Sequence, residues 1–241
     1  SHVRDDGVVQ VLNRKTSDGD ILKFEKDNST VGVIASKLST SGSVMLIGTD
    51  NTGITFENLV LRPRTTANGT SDGAIDLGTS DDRFKDLYLS GGAYLGGTGS
   101  ANKLDDYEEG TYDATISCAS GSITLYTSYT ALRYTKIGRQ VHIHGKLAVN
   151  SVSSPTGATN LNLPFVISND TDRSGQADNI MTGYFNGSAV TNGIYPIYGY
   201  MAEAASVCRL FIMVIPATHN LGDNYTAQGT DYHINFTYTT D

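Results

Sequence analysis

The sequence contains no tryptophan, two cysteines and five prolines in 241 residues. Two thiols are too few for a disulfide framework, so packing and backbone pairing must hold the fold. Cys118 and Cys208 lie in apolar or small-residue stretches and read as small buried side chains. Charge is also sparse, with Lys, Arg, Asp and Glu making up 17% of the chain. The balance is acidic: 17 basic against 25 acidic side chains give a formal net charge of −8. Phosphate recognition needs clustered Lys and Arg, so no nucleic-acid partner is expected. No apolar run approaches the about 20 residues of a membrane-spanning helix. The longest run, Leu210–Ile215, suits a buried strand, and no membrane insertion is expected. Catalytic signatures are missing too: there is no Gly-x-Ser-x-Gly, no phosphate-binding Walker loop, no His-Glu-x-x-His and no Cys-x-x-Cys. The expectation is a protein that is not an enzyme and carries no cofactor.

What the sequence does contain is glycine and tyrosine, 26 and 14 of them, with abundant Ser, Thr and Asn. Low charge with many Gly, Thr, Tyr and Val favours strands and turns over helices, so the expected class is all-β. From Val8 onward short strands alternate with turns. Val8–Leu12 reads as one strand, and Asp18-Gly19 leads into Ile21–Glu25. Asp27-Asn28-Ser29 turns the chain into Val31–Ile34, followed by Val44–Gly48 and Ile54–Phe56. Asn58–Arg62 reads as a strand that Pro63 ends. In the stretch Ala74–Thr98, Thr79-Ser80 looks like a helix cap before a single turn, Asp81–Lys85, which the Gly91-Gly92 pair prevents from growing. Loose echoes, Asp18–Leu22 against Ser71–Ile75 and Leu46–Asp50 against Leu77–Asp81, suggest successive rungs of similar construction.

These stretches resemble the shaft-to-tip region of bacteriophage tail fibres, particularly those of phages of aquatic bacteria. The matching residues are Asp76–Ser80, Arg83–Gly92 and Tyr94–Gly99. Upstream, Asn13–Ile21, Phe24, Lys26-Asp27 and Ser29–Gly32 are similar to a shaft repeat. Downstream, Leu104–Tyr112 and Tyr134–Val141 are similar to the start of the tip domain. The resemblance implies a fibre shaft over 1–103 and a receptor-binding tip over 104–241, with a place in the virion at the fibre tip. It implies a homotrimer that joins other phage tail proteins and binds a host cell-surface glycan or outer-membrane receptor. The residues agree with a trimeric shaft, because the apolar positions before Pro63 are too scattered for one central core in a domain of roughly 100 residues. Three intertwined copies would share that core and hide the strand edges.

After the acidic stretch Lys103–Gly110, read as a solvated turn at a boundary, strands recur at the spacing of a β-sandwich or jelly roll. They are Tyr112–Cys118, Ile123–Tyr126, Thr130–Ile137, Gln140–Val149, Leu161–Val166, Asn179–Phe185, Ala189–Tyr200, Ser206–Ile215 and Asp231–Tyr238. Ile137–Gln140 reads as a tight hairpin, and Asn186-Gly187 and Asn192-Gly193 as two-residue turns. Val207–Ile215 is apolar on both alternating faces except at Arg209, which fits either a central strand or one facing a second subunit.

Two constellations could hold a metal. His142 and His144 share one strand face, but Val141 and Ile143 should point inward and leave them on the surface. Asp170-Thr171-Asp172-Arg173-Ser174-Gly175 opens like a calcium loop, yet the twelfth place is Met181 where a bidentate Glu belongs, and Arg173 adds positive charge. Neither is taken as a metal site. The candidate receptor-binding residues are therefore polar loop positions and nearby tyrosines: Asn169, Asp170, Asp172, Arg173, Tyr184, Asn186, Asn192, Tyr195, Asn220, Asp223 and Tyr225. Tyrosine offers a flat apolar face to sugar C–H groups and a hydroxyl to hydrogen-bond, at low entropy cost.

Overall fold

The structure, a computed structural model, describes residues 10–39, 42–49, 51–65, 71–169, 180–187, 193–202, 204–214, 217–220 and 225–241. These form strands joined by turns, with two short 3-10 segments and no α-helix among the described residues. The chain divides into two compact units, Ser1–Tyr88 and Leu89–Asp241.

The first unit is an antiparallel meander of β1 (Gly19–Lys26), β2 (Ser29–Ser39), β3 (Gly42–Gly48), β4 (Gly53–Glu57) and β5 (Val60–Arg64), each strand paired with the next. Asp27 and Asn28 make the first hairpin turn with φ of 51° and 64°, the left-handed pair that a two-residue turn demands. Asn58 and Leu59, expected in a strand, make the same kind of turn with φ of 32° and 69°, closed by the Glu57–Val60 pair. Pro63 does not end β5. It lies inside it, opposite Ile54, and is tolerated because β5 is the last strand of the sheet and its outer side needs no donor. Residues 10–12, expected in a strand, carry no strand pairing.

Alternation gives this sheet two unlike faces. On one, Val33, Ala35 and Leu46 form a small buried cluster. Glu57 is 6% exposed on that face, with Arg62 Nε and Arg64 Nη2 at 3.7 and 3.8 Å from its Oε2. The other face is built from cross-strand rows. Leu22, Ile34, Ile47 and Ile54 stand in register, as do Met45, Phe56 and Leu61. Leu22, Phe24, Met45, Ile47, Ile54, Phe56 and Leu61 there are 37 to 66% exposed.

Between Leu77 and Leu95 the chain also leaves large apolar side chains uncovered, including Phe84, Leu87 and Tyr88. No helical turn forms at Asp81–Lys85. The Thr79 hydroxyl does accept the Asp81 and Asp82 amides, at 3.3 and 2.9 Å, but the cap closes a turn and nothing follows. One turn cannot offset the cost of nucleating a helix.

The second unit opens with a short pairing of β6 (Ala93–Tyr94) and β7 (Lys103–Leu104). Then come β8 (Tyr107–Asp113), β9 (Ile116–Leu125), β10 (Ala131–Ile137), β11 (Gln140–Asn162), β12 (Ile180–Gly187), β13 (Gly193–Tyr200), β14 (Val207–Val214), β15 (Ala217–Asn220) and β16 (Asp231–Thr239). All nine belong to one sheet. The 23-residue β11 organises it. Its first half pairs with β10 on one side and β16 on the other, and its second half with β9 and β14. The path from β16 through β12 and β13 to β14 thus leaves β11 and returns to it. The sequence marks Gln140–Val149 and Leu161–Val166 as separate strands because polar and turn residues lie between. In the structure those residues form bulges, with register shifts at Val149/Ser151, Ser153/Thr156 and Thr156/Thr159, Ser154 at φ 41° and Gly157 at φ 75°. Bulges bend a strand without ending its pairing, which lets one strand serve four neighbours.

The core lies within this coiled sheet. Val141, Ile143, Leu147 and Val149 of β11 meet Tyr232, Ile234, Phe236 and Tyr238 of β16, with Ile197 from β13 and Cys208, Leu210 and Ile212 from β14. On β14 the alternation is therefore clean on the inside, while Arg209 packs over the Phe211 ring at 5.1 Å on the other side. The hydroxyls of the buried Tyr232 and Tyr238 and of the half-buried Tyr112 are bonded: Tyr232 to the Thr226 hydroxyl at 2.5 Å, Tyr238 to the Phe165 carbonyl at 3.0 Å, and Tyr112 to the Asn162 carbonyl at 3.2 Å. Without such partners each would cost about 1–3 kcal/mol.

Two outcomes follow. A methyl group at Gly121 would lie 2.2 and 2.3 Å from the Ser153 and Ser154 carbonyl oxygens, and φ there is +80°. Gly121→Ala should lower unfolding free energy by about 2 kcal/mol or more, as strained backbone changes do, read from the denaturant midpoint at unchanged slope. Burial pushes the Cys208 thiol up to about 12, so almost no thiolate exists at neutral pH. A thiol reagent should modify Cys208 only after unfolding, as mass spectrometry of the labelled peptides would reveal.

Candidate functional site

The outer face of the β10–β11–β16–β12 portion collects side chains that strand alternation turns away from the core. Val141 and Ile143 are fully buried, which leaves His142 and His144 outside. Their rings stack with centroids 5.5 Å apart, and His142 Nδ1 is 3.1 Å from the Thr237 hydroxyl on β16. Among the described residues no group of three or more His, Cys, Asp or Glu is arranged to hold a metal.

Two residues further along β11, Lys146 faces His233 of β16, and His233 in turn faces Tyr184 of β12. This cross-strand row is the centre of the candidate site. Tyr184 and His233 stack almost parallel, with centroids 4.1 Å apart and planes at 10°. Lys146 Nζ donates to Asp231 Oδ2 at 2.9 Å and sits 4.8 Å from the centre of the Tyr129 ring. Tyr129 reaches this place from the 3-10 turn Thr127–Tyr129 between β9 and β10. The Asp231 hydrogen bond and charge hold Lys146 above the ordinary lysine range, with Tyr129 and Tyr184 adding to the effect, so the ammonium persists at neutral pH. Tyr129 and Tyr184 remain 47 and 43% exposed. The cluster thus combines two accessible aromatic rings, an ammonium with protons to donate, and a carboxylate with lone pairs to offer.

The other sequence candidates fall elsewhere. Tyr195 and Tyr225 are partly buried and pack against the core cluster. The amide of Asn169 donates to the Asp241 carboxylate at 3.2 and 3.3 Å. Asn186 lies in β12 opposite Ile194 and Asp231, and Asn220 in β15 opposite Phe211. Asp170, Asp172, Arg173, Asn192 and Asp223 lie outside the described residues. Of the candidates, Tyr184 alone belongs to the cluster. Tyr129, Lys146, Asp231 and His233 stand on strands and a short turn, not on polar loops, and period-two alternation on β11 and β16 is the sequence signal that marks three of them.

The acidic stretch is not a loose turn. It runs into β8, and its carboxylates have partners: Asp105 with Lys103 at 3.0 Å, Asp106 with Lys136, Glu108 with the Tyr134 hydroxyl and Glu109 with the Tyr107 hydroxyl. Lys103 holds Asp105 below the usual carboxylate range, and the glutamates push the Tyr134 and Tyr107 hydroxyls up. Lys136 is buried on the inner side, 5.5 Å from the centre of the Phe165 ring. The Glu108–Tyr134 and Asp106–Lys136 contacts tie β8 and the residue before it to β10, and the other two stay within the stretch itself.

No protein-family model matches the chain, and no curated protein matches it. Among solved structures, the crystal structure of the Dettilon tailspike protein is similar, with a TM-score of 0.44 and 16% identity over 55% of this chain. The matched region spans 24% of that tailspike chain.

Proposed function

We propose that the chain is part of a homotrimeric bacteriophage tail fibre, with a shaft-like N-terminal unit and a sandwich-like C-terminal tip that attaches the virion to a glycan or other receptor on the host surface. The observation that carries this proposal is the contrast between the two units. The first has a sheet whose apolar face is uncovered, from Leu22 and Phe24 to Ile47 and Phe56. The second buries a full core of its own and presents aromatic and polar groups outward. A soluble chain seldom leaves so much contiguous apolar surface in water. Sharing that surface among identical copies would bury it, and joining three copies would multiply a weak receptor contact through avidity. The resemblance of Asp76–Ser80, Arg83–Gly92 and Tyr94–Gly99 to the shaft-to-tip region of such fibres, and of Leu104–Tyr112 to the start of their tip domain, supports the same assignment. The polar positions Asn169, Asn186 and Asn220 are proposed as further receptor contacts.

Light scattering on the purified chain tests the assembly, with a trimer mass expected at micromolar concentration and a folded monomer contrary to it. Phe56→Glu combined with Ile47→Lys should dissociate the trimer, because charge on both residues opposes burial of the face. The second unit should keep its fold, seen as retained near-ultraviolet circular dichroism from its tyrosines. Adsorption to bacterial cells tests attachment. Shortening of a glycan on incubation would favour a glycan-degrading tailspike instead.

A further inference from the structure

We propose that Tyr129, Lys146, Asp231, His233 and Tyr184 form a saccharide subsite that takes an uncharged sugar ring through a pair of neighbouring hydroxyls. This rests on the attachment function proposed above and names the ligand class for one patch of the tip. Three observations carry it.

The first is shape. Tyr129 comes from a turn and lies 4.8 Å from the Lys146 ammonium, while Tyr184 comes from β12 and stacks on His233, the residue that faces Lys146 across β11 and β16. Their exposed surface lies beside polar atoms, the arrangement a sugar needs. Its C–H groups pack on an aromatic ring while its hydroxyls reach sideways. His233, stacked 4.1 Å from Tyr184, holds that ring in orientation, so little rotamer freedom remains to be lost on binding.

The second is hydrogen-bonding capacity. Lys146 has three N–H donors and spends one on Asp231 at 2.9 Å; the carboxylate has further lone pairs. One sugar hydroxyl can accept from Nζ while its neighbour donates to an Asp231 oxygen. Adjacent hydroxyls on a hexose ring meet both demands at once, and a single hydroxyl or an apolar group does not.

The third is charge. Lys146 and Asp231 sum to zero and are paired, with side chains 36 and 27% exposed. A carboxylated or phosphorylated sugar would gain from the ammonium but would also meet the aspartate, whose Oδ2 lies 2.9 Å from that ammonium. It would have to break the pair to profit. A neutral sugar leaves the pair intact and adds to it. Partial burial also keeps the charge-assisted bonds stronger than in open water.

The test is a glycan array carrying neutral hexose polymers, uronate polymers and phosphorylated glycans, probed with the whole chain and with single variants. Binding to neutral hexose glycans is expected. Tyr184→Ala and Tyr129→Ala should each weaken it on the order of tenfold, a usual cost for an aromatic contact. Asp231→Asn should weaken it too, because it leaves Lys146 unbalanced, and should shift preference toward uronate polymers. Tyr94→Ala, an exposed tyrosine outside the patch, should bind as the parent does. Each variant is melted in parallel, and unchanged midpoints keep the losses attributable to contact. Binding confined to acidic glycans, or binding to neutral glycans that survives both tyrosine changes, overturns the subsite. So does an array with no binding. Adsorption to bacterial cells by the parent chain then decides the wider attachment function separately: cell binding unaffected by Tyr129→Ala and Tyr184→Ala sinks the subsite alone, and absence of cell binding sinks both.

Discussion

One bent strand holds the C-terminal unit together. β11 spans 23 residues and supplies hydrogen-bonding edges to β10, β16, β9 and β14. A straight strand has only two sides, so serving four neighbours requires that its halves point differently. The bulges between Val149 and Thr159 provide that change of direction. Gly121 on β9 lies against the bend, where its missing Cβ lets the Ser153 and Ser154 carbonyls approach. The inside of the bend becomes the core, and the outside of the first half becomes the platform on which Lys146 meets His233.

The same alternation that buries the core builds the platform. Every inward Val141, Ile143 and Leu147 forces an outward His142, His144 and Lys146, and on β16 every inward Ile234 and Phe236 forces an outward His233 and Asn235. Register then decides which outward residues touch. A shift of one residue between β16 and β12 would separate Tyr184 from His233 and turn the stacked pair apart. The buried pairings, with their bonded tyrosine hydroxyls, therefore fix the surface geometry at a distance.

The N-terminal unit lives under the opposite constraint. Its meander has little inside: the cluster of Val33, Ala35 and Leu46 is small, and Glu57 shares its face between two arginines. The larger apolar surface is outside. A sheet of this size buries too little surface alone to offset chain entropy comfortably. The uncovered Phe84, Leu87 and Tyr88 after it continue the pattern.

Much of the strand inventory was legible from local sequence. The hairpin turns at Asp27-Asn28 and Ile137–Gln140, the alternating strand Asp231–Tyr238 and the inward side of Val141 and Ile143 follow from turn chemistry and period two, which are properties of a few adjacent residues. The low charge and the abundance of Gly, Thr, Tyr and Val likewise point to the all-β class without help from tertiary contacts. What local sequence does not contain is which edge meets which. That β11 continues through Ser154 and Pro155, that Pro63 sits inside an edge strand, that Tyr195 and Tyr225 pack against a core while Tyr184 faces outward, and that Asp231 finds Lys146 across 85 positions are all outcomes of long-range pairing. Strand pairing is chosen by the burial of the whole face, so residues alike in composition, tyrosines on strands or asparagines at turns, acquire different roles only when the sheet closes around its core.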